Sequence, residues 1–182
     1  YDSPDRTFFD SAYCLYDFFA AITNGSNRKL WMLVDPVEDD PNHEWSEFEE
    51  WYIHCVTAML MFPQVDSYEV MPWPERIFVK GHSTGGGTPA PERFRTIVLS
   101  ATQVLQEVPL GGQWDPYGPA SDRAKPHSPH RVGVAVSDTL MWEKEPPPPL
   151  QVAYGMMMPL VRAGTPGEAC LLERTSDPKY LQ

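Results

Sequence analysis

KLWMLVDPVEDDPNHEW, residues 29–45, decides how the rest of the chain is read. Leu30 to Val34 form a short continuous apolar run, the mark of a strand covered on both sides, as in a parallel sheet. The run stops at an acidic loop that holds Asp35, Glu38, Asp39 and Asp40 and ends in His43 and Trp45. Side chains alternate along a strand, so Trp31, Leu33 and Asp35 share one face while Leu30, Met32 and Val34 share the other. The wholly aliphatic face is expected to pack on helices. If the sheet is a barrel, Trp31, Leu33 and Asp35 turn inward and Asp35 stands at the rim.

Working outward, helical and strand patterns alternate. Residues 7–23 place Phe8, Phe9, Ala12, Tyr16, Phe19 and Ala20 on one helical stripe, with Asn24-Gly25 as a stop. Downstream, Ser46 and Glu49 suggest a capping box. It opens a helix through Phe48, Trp51, Tyr52, Cys55, Met59 and Phe62 that Pro63 ends. SYEVM (67–71) is a second strand, cut off by Pro72 and Pro74, and residues 91–108 form a third amphipathic helix through Phe94, Val98, Ala101 and Leu105, with Pro91 in its first turn. Residues 109–130 lose all periodicity and read as a linker. RVGVAVSD (131–138) is then a buried strand, residues 150–164 a helix kinked at Pro159 and closed by Gly164, and EACLL (168–172) a further strand. Strands alternating with helices imply parallel βαβ units. The expected organisation is therefore two α/β segments, 1–108 and 131–182, joined by the linker 109–130.

Composition narrows the function classes. With 182 residues, 42% of them hydrophobic, the chain has enough apolar material for a real core. A net charge of -11 without a Lys/Arg cluster argues against nucleic acid or an anionic membrane as partner. No apolar run approaches the roughly 20 residues of a membrane span. Cys14, Cys55 and Cys170 read as small buried hydrophobes in a reducing compartment, which favours the cytoplasm. The chain begins at Tyr1 and reads as a piece of a longer protein. Its sheet edges and apolar face would then be exposed when it is expressed alone, and it is expected to aggregate or to be molten.

The chemistry is expected at the carboxyl ends of the strands, where ligands gather in parallel α/β sheets. Parity sends Tyr68 and Val70 one way and Glu69, Met71 and Trp73 the other. A lone carboxylate is costly against an apolar helix layer, so Glu69 is expected on the inner side. Neighbouring strands lie ~4.8 Å apart, and two carboxylates at adjacent strand tips can reach the ~5 to 9.5 Å separation of glycoside hydrolysis. Trp31, Trp45 and Trp73 would offer flat faces to a sugar ring. Simpler readings stand beside this one: Glu38, Asp39 and Asp40 as a solvated turn, and His43 as an ordinary loop histidine instead of a proton shuttle or metal ligand. The acid spacing does not fit an EF-hand, and no metal or other cofactor is expected. GHSTGGG (81–87) lacks the lysine of a phosphate loop and reads as flexible. Met156, Met157 and Met158 read as core filler, and Asp138 and Trp142 as a structural turn that is also well placed for a site.

LWMLVDPVEDDPNHEW, YEVMPWPERIF (68–78), VGVAVSDTLMWEK (132–144) and AYGMMMPLVRAGTP (153–166) together resemble a group of bacterial glycosidase-like proteins. Their layout is similar to that of β-galactosidases in which a (β/α)8 barrel is followed by a glutamine-amidotransferase-like α/β domain. The resemblance implies that residues 1–108 are the last βα units of a TIM barrel, and that 131–182 open a flavodoxin-like domain used for oligomer contacts. Asp35 matches the position of the nucleophile at the end of the seventh strand, where the β-galactosidases have glutamate; Glu38, three residues on, is the other candidate. The acid/base would lie upstream, so residues 1–182 alone would be inactive. The activity implied is glycoside hydrolysis, with Asp35, Glu38 and Glu69 as the carboxylates and Trp73, Trp45, Trp31 and His43 at the sugar. The alternatives are a non-catalytic carbohydrate-binding or assembly protein on the same fold, and a flavodoxin-like module that binds a small anion through backbone amides near Ser137 to Leu140.

Overall fold

A computed structural model describes residues 8–23, 28–34, 42–62, 64–70, 74–79, 88–108, 132–141, 156–165 and 167–177. In chain order the elements are α1 (Phe8–Thr23), β1 (Trp31–Leu33), α2 (Trp45–Met59), β2 (Ser67–Glu69), α3 (Glu75–Phe78) and α4 (Glu92–Glu107). After these come β3 (Val132–Val136), α5 (Asp138–Met141), α6 (Met157–Arg162), β4 (Gly167–Leu171) and a 3-10 turn (Leu172–Arg174). The strands form two parallel pairs, β1 with β2 and β3 with β4. The protein is thus a mixed α/β fold built on short two-stranded parallel sheets. Among the described residues the strands do not close into a barrel.

The strand expected at residues 29–34 is present, but it is covered on one side and not on both. Leu30 and Val34 are buried and Met32 is partly so, while Trp31 and Leu33 are exposed. Parallel pairing across one intervening helix makes β1–α2–β2 a βαβ unit. The capping box of α2 lies two residues earlier than the sequence suggests: Glu44 is the N-cap, its side chain accepts from the Glu47 backbone, and the Glu47 carboxylate accepts from the Glu44 N–H at 2.8 Å. The Glu44/Glu47 pair takes over because the helix starts at Trp45, whose ring is needed in the core between Phe48 and Phe94.

The α1 helix departs most from its expected shape. In place of one apolar stripe, burial runs round most of its surface, through Ala12, Tyr13, Cys14, Tyr16, Asp17, Phe18 and Ala21. A helix buried on so many sides must have partners on more than one of them. It packs on α2 along one flank, with Phe62 meeting the rings of both Tyr13 and Tyr16, and on β4 along another. Val134, Val136, Met157, Ala169 and Leu171 consequently belong to the same hydrophobic core as Phe18, Phe48, Tyr52 and Phe94.

Smaller differences have local causes. Of the helix expected over residues 150–164, positions 150–155 lie outside the described residues; in α6 Pro159 lies in the first turn, where its missing N–H leaves no intrahelical bond unmade. Gly164 does close this helix, at φ 76°, with Gly164 N–H donating to Val161 C=O and Thr165 N–H to Leu160 C=O, a Schellman ending. Pro91 is the N-cap of α4, one residue before the first turn. Of Met156, Met157 and Met158 only Met157 is fully buried, and its sulfur fills the space a side chain on Gly167 would need; Met156 is exposed. Cys14 and Cys55 are buried free thiols, as their places on the helical faces suggest. No helix among the described residues is long and apolar enough to cross a membrane.

Candidate functional site

The carboxyl ends of β1 and β2 are held from beneath by tyrosines. Tyr16 of α1 donates to the Leu33 carbonyl at 3.1 Å, and Tyr52 of α2 donates to the Val70 carbonyl at 3.1 Å. Tyr68 reaches back from β2 to the carbonyls of Met59 and Phe62, both at 3.0 Å, and so fixes the end of α2 to the sheet. Burial pushes all three phenols far above their ordinary range. They therefore stay protonated and act as neutral donors at any physiological pH. On the helix surfaces Tyr16 and Tyr52 read only as apolar stripe; the signal for more was a tyrosine where phenylalanine would have packed as well. A buried hydroxyl needs a partner, and here it is a carbonyl at the end of a strand for Tyr16 and Tyr52 and carbonyls at the end of α2 for Tyr68.

The register then sets what stands on the open side. Leu33 pairs with Glu69 and Trp31 with Ser67. Residues directly opposite each other in a sheet share a face, so Trp31, Leu33 and Glu69 form one surface turned away from the helices. Trp31 is 78% exposed and Leu33 51%, and Glu69 is exposed beside them. An exposed tryptophan and leucine next to a carboxylate make an amphipathic surface, apolar with one charged group beside it. Glu69 N–H and C=O are engaged by the ladder, as in the 2.8 Å bond from Val34 N–H to Glu69 C=O, which holds the backbone that carries its carboxylate.

The other candidate residues fall in different places. Asp35, Glu38 and Trp73 lie outside the described residues, as do Trp142 and the glycine-rich stretch 81–87. Trp45 is buried, edge-on to Phe48 and tilted against Phe94, with its indole N–H donating to Thr88 C=O at 2.5 Å, so its ring is enclosed by protein. His43 is half-buried against Trp51 and Phe48, its Nδ1 3.6 Å from a Glu47 carboxylate oxygen. No group of three or more potential metal ligands occurs among the described residues.

The backbone amides proposed for an anion, at the start of α5, are already filled from within the chain. Glu173, on the turn after β4, accepts from Ser137 Oγ at 2.6 Å, from Asp138 N–H at 3.1 Å and from Thr139 N–H at 3.4 Å. The Ser137 bond, supported by backbone donors, holds the Glu173 carboxyl well below the ordinary range, at about 2. It is a carboxylate at all ordinary pH values and competes with any external anion for these donors. The chain matches no protein-family profile, no curated protein and no solved structure.

Proposed function

We propose that this chain is part of a glycoside hydrolase of (β/α)8-barrel type, with the open face of β1 and β2 forming part of its sugar-binding wall. The observation that carries the reading is the placement of Glu69 opposite Leu33 on the face that also exposes Trp31. In such a barrel, β1 and β2 are the seventh and eighth strands, their helix-facing sides are apolar, and their other sides meet substrate. Asp35, which follows Leu33 by two residues in sequence, is the nucleophile in this reading, with Glu38 as the alternative carboxylate. Glu69 supplies negative charge beside the developing oxocarbenium ion, and Trp31 and Trp73 hold the ring. Trp45 keeps its structural place in the core, and His43 orders the loop ahead of α2. Residues 131–182 open the amidotransferase-like domain in the same reading.

The test is cleavage of a panel of aryl glycosides by the full-length protein that contains this chain. Asp35→Asn should lower kcat by roughly a thousand-fold or more with an unchanged unfolding midpoint, and Glu69→Gln should lower it less. Full activity in Asp35→Asn would overturn the assignment.

One observation favours a second reading, a carbohydrate-binding or assembly protein without turnover. Leu30 C=O and Val34 N–H bond toward β2, so the Leu33 carbonyl faces the opposite edge of β1, where Tyr16 occupies it. Tyr52 likewise occupies the Val70 carbonyl. Hydroxyls there take positions that flanking barrel strands would use. This reading expects sugar binding that survives Asp35→Asn and Glu69→Gln and fails in Trp31→Ala and Trp73→Ala.

A further inference from the structure

We propose that the sugar taken by the open face of β1 and β2 is an amino sugar with its nitrogen unacetylated: the ring lies on Trp31 and Leu33, and the ammonium pairs with Glu69. The inference rests on the carbohydrate reading of that face and adds the class of sugar.

Charge is distributed unevenly along the chain. From Leu30 to Glu75, the stretch that contains β1, α2 and β2, the sequence holds eleven acidic residues and neither lysine nor arginine. The whole chain has 25 acidic and 14 basic residues, so the remaining 14 acids and 14 bases balance, and the net charge of -11 belongs to this one βαβ unit. Some of these acids hold the structure together. Glu44 and Glu47 cap α2, Glu49 pairs with Arg93 of α4 at 2.8 Å, and Asp66 accepts the Leu30 N–H at 2.8 Å. The Glu69 side chain is exposed and pairs with no cation among the described residues. Lys29 precedes β1 and is four residues before Leu33, the partner of Glu69 in register, which is about 13 Å along an extended chain. The field of the unit therefore draws cations, and Glu69 is the group on the open face left to meet one.

The geometry fits a ring that carries its charge at the rim. Leu33 is paired with Glu69 and Trp31 with Ser67, so Trp31 and Glu69 lie on a diagonal of one face. With strands ~4.8 Å apart and two residues of rise at ~3.3 Å each, their Cα atoms are about 8 Å apart. A hexosamine seated on the exposed indole and Leu33 covers them with the C–H groups of its ring. Its amino substituent then projects outward at the edge of the ring, where the Glu69 carboxylate can accept its N–H groups in charge-assisted bonds. The size of the face favours a small ligand. Two strands of three residues cover about 10 Å by 5 Å, whereas a stable protein partner needs about 800 Å² on each side.

The test measures binding of oligoglucosamine and of its N-acetylated counterpart to the full-length protein that contains this chain, by isothermal titration calorimetry at a pH where the amines are protonated. Oligoglucosamine should bind at least about five-fold more tightly than the N-acetylated chain, and added salt should narrow the gap. Spermine, a linear polyamine, should not displace it at equal amine concentration. Glu69→Gln should abolish the preference and leave the N-acetylated chain bound as before, and Trp31→Ala should weaken both sugars. Glu50→Gln removes the same charge from an exposed position on α2 and should leave the preference within about two-fold of the wild type's. All three side chains are exposed, so these variants should fold. Equal affinity for the two sugars, displacement by spermine, or a preference that survives Glu69→Gln would overturn the proposal and leave the carbohydrate reading standing. If neither sugar binds, that reading falls with it.

Discussion

The two parallel sheets each have two strands, three residues long in one and five in the other, and they treat their strand ends and edges in opposite ways. At β1 and β2 the helices satisfy the strand ends from beneath through Tyr16 and Tyr52, and the face above, with Trp31, Leu33 and Glu69, is left to solvent. At β3 and β4 one face of β3, with Gly133 and Ala135, is exposed as well, but the strand edge and strand-end donors are closed from within the chain. Asp17 and Tyr13 take the outer edge of β4, and Glu173 fills the donors at the end of β3. The contrast teaches where to look for a ligand. A charged internal group seated in a strand-end position competes with any visitor, whereas neutral hydroxyls behind a strand hold its geometry and leave its face free.

The largest effect should come where the two sheets share support. Phe62 is buried against Tyr13, which serves β4, and Tyr16, which serves β1. Phe62→Ala should cost about 3–5 kcal/mol and loosen both sheets together, read by denaturant unfolding with amide exchange in each sheet. Loss of protection in one sheet alone would show that they are separately supported.

A smaller change should separate them. Tyr16→Phe leaves the Leu33 carbonyl without the Tyr16 hydroxyl and should cost about 1–2 kcal/mol, with faster exchange near β1 and none of that change in β4. Below this comes Glu173. Its folded carboxyl titrates lower than its ordinary 4.5, so the stability it contributes is complete above pH 4.5 and is lost as the pH falls toward 2. Because the group is exposed, Glu173→Gln should cost less than about 1 kcal/mol at neutral pH and flatten the acid limb of a pH–stability curve. An unchanged acid limb would remove Glu173 from its place at Ser137.

Trp31→Ala should alter stability least, within about 0.5 kcal/mol, since most of the side chain meets only solvent. A cost of several kcal/mol would mean that the face is covered in solution.

What the sequence made legible follows from the range of the forces involved. The alternation in residues 30–34 correctly separated the two faces of β1, because a strand's period of two is a local property, but it did not show that the face with Trp31 and Leu33 would be exposed instead of covered. The apolar spacing of α2 and α4 placed both helices for the same reason, with errors of one or two residues where capping competed, as at Glu44 and Pro91. Burial around most of α1 was not legible as a single stripe, because its second partner, β4, lies about 150 residues away in sequence. Trp45 shows the same limit at the candidate site: composition marks it as an aromatic fit for sugar, and only its packing on Phe48 and Phe94 assigns it to the core. Glu173 likewise carries no local sign that it would fill the donors of Ser137, Asp138 and Thr139.

The central claim, that the open face of β1 and β2 is a carbohydrate site, is tested most directly by following the indole N–H signals of the six tryptophans by NMR while neutral oligosaccharides are titrated in, with Trp31→Phe and Trp45→Phe to assign the two that matter. The account predicts a saturable shift of the Trp31 signal with at least one glycan while the Trp45 signal, tied to Thr88, stays in place. A Trp31 signal that no glycan moves would contradict it.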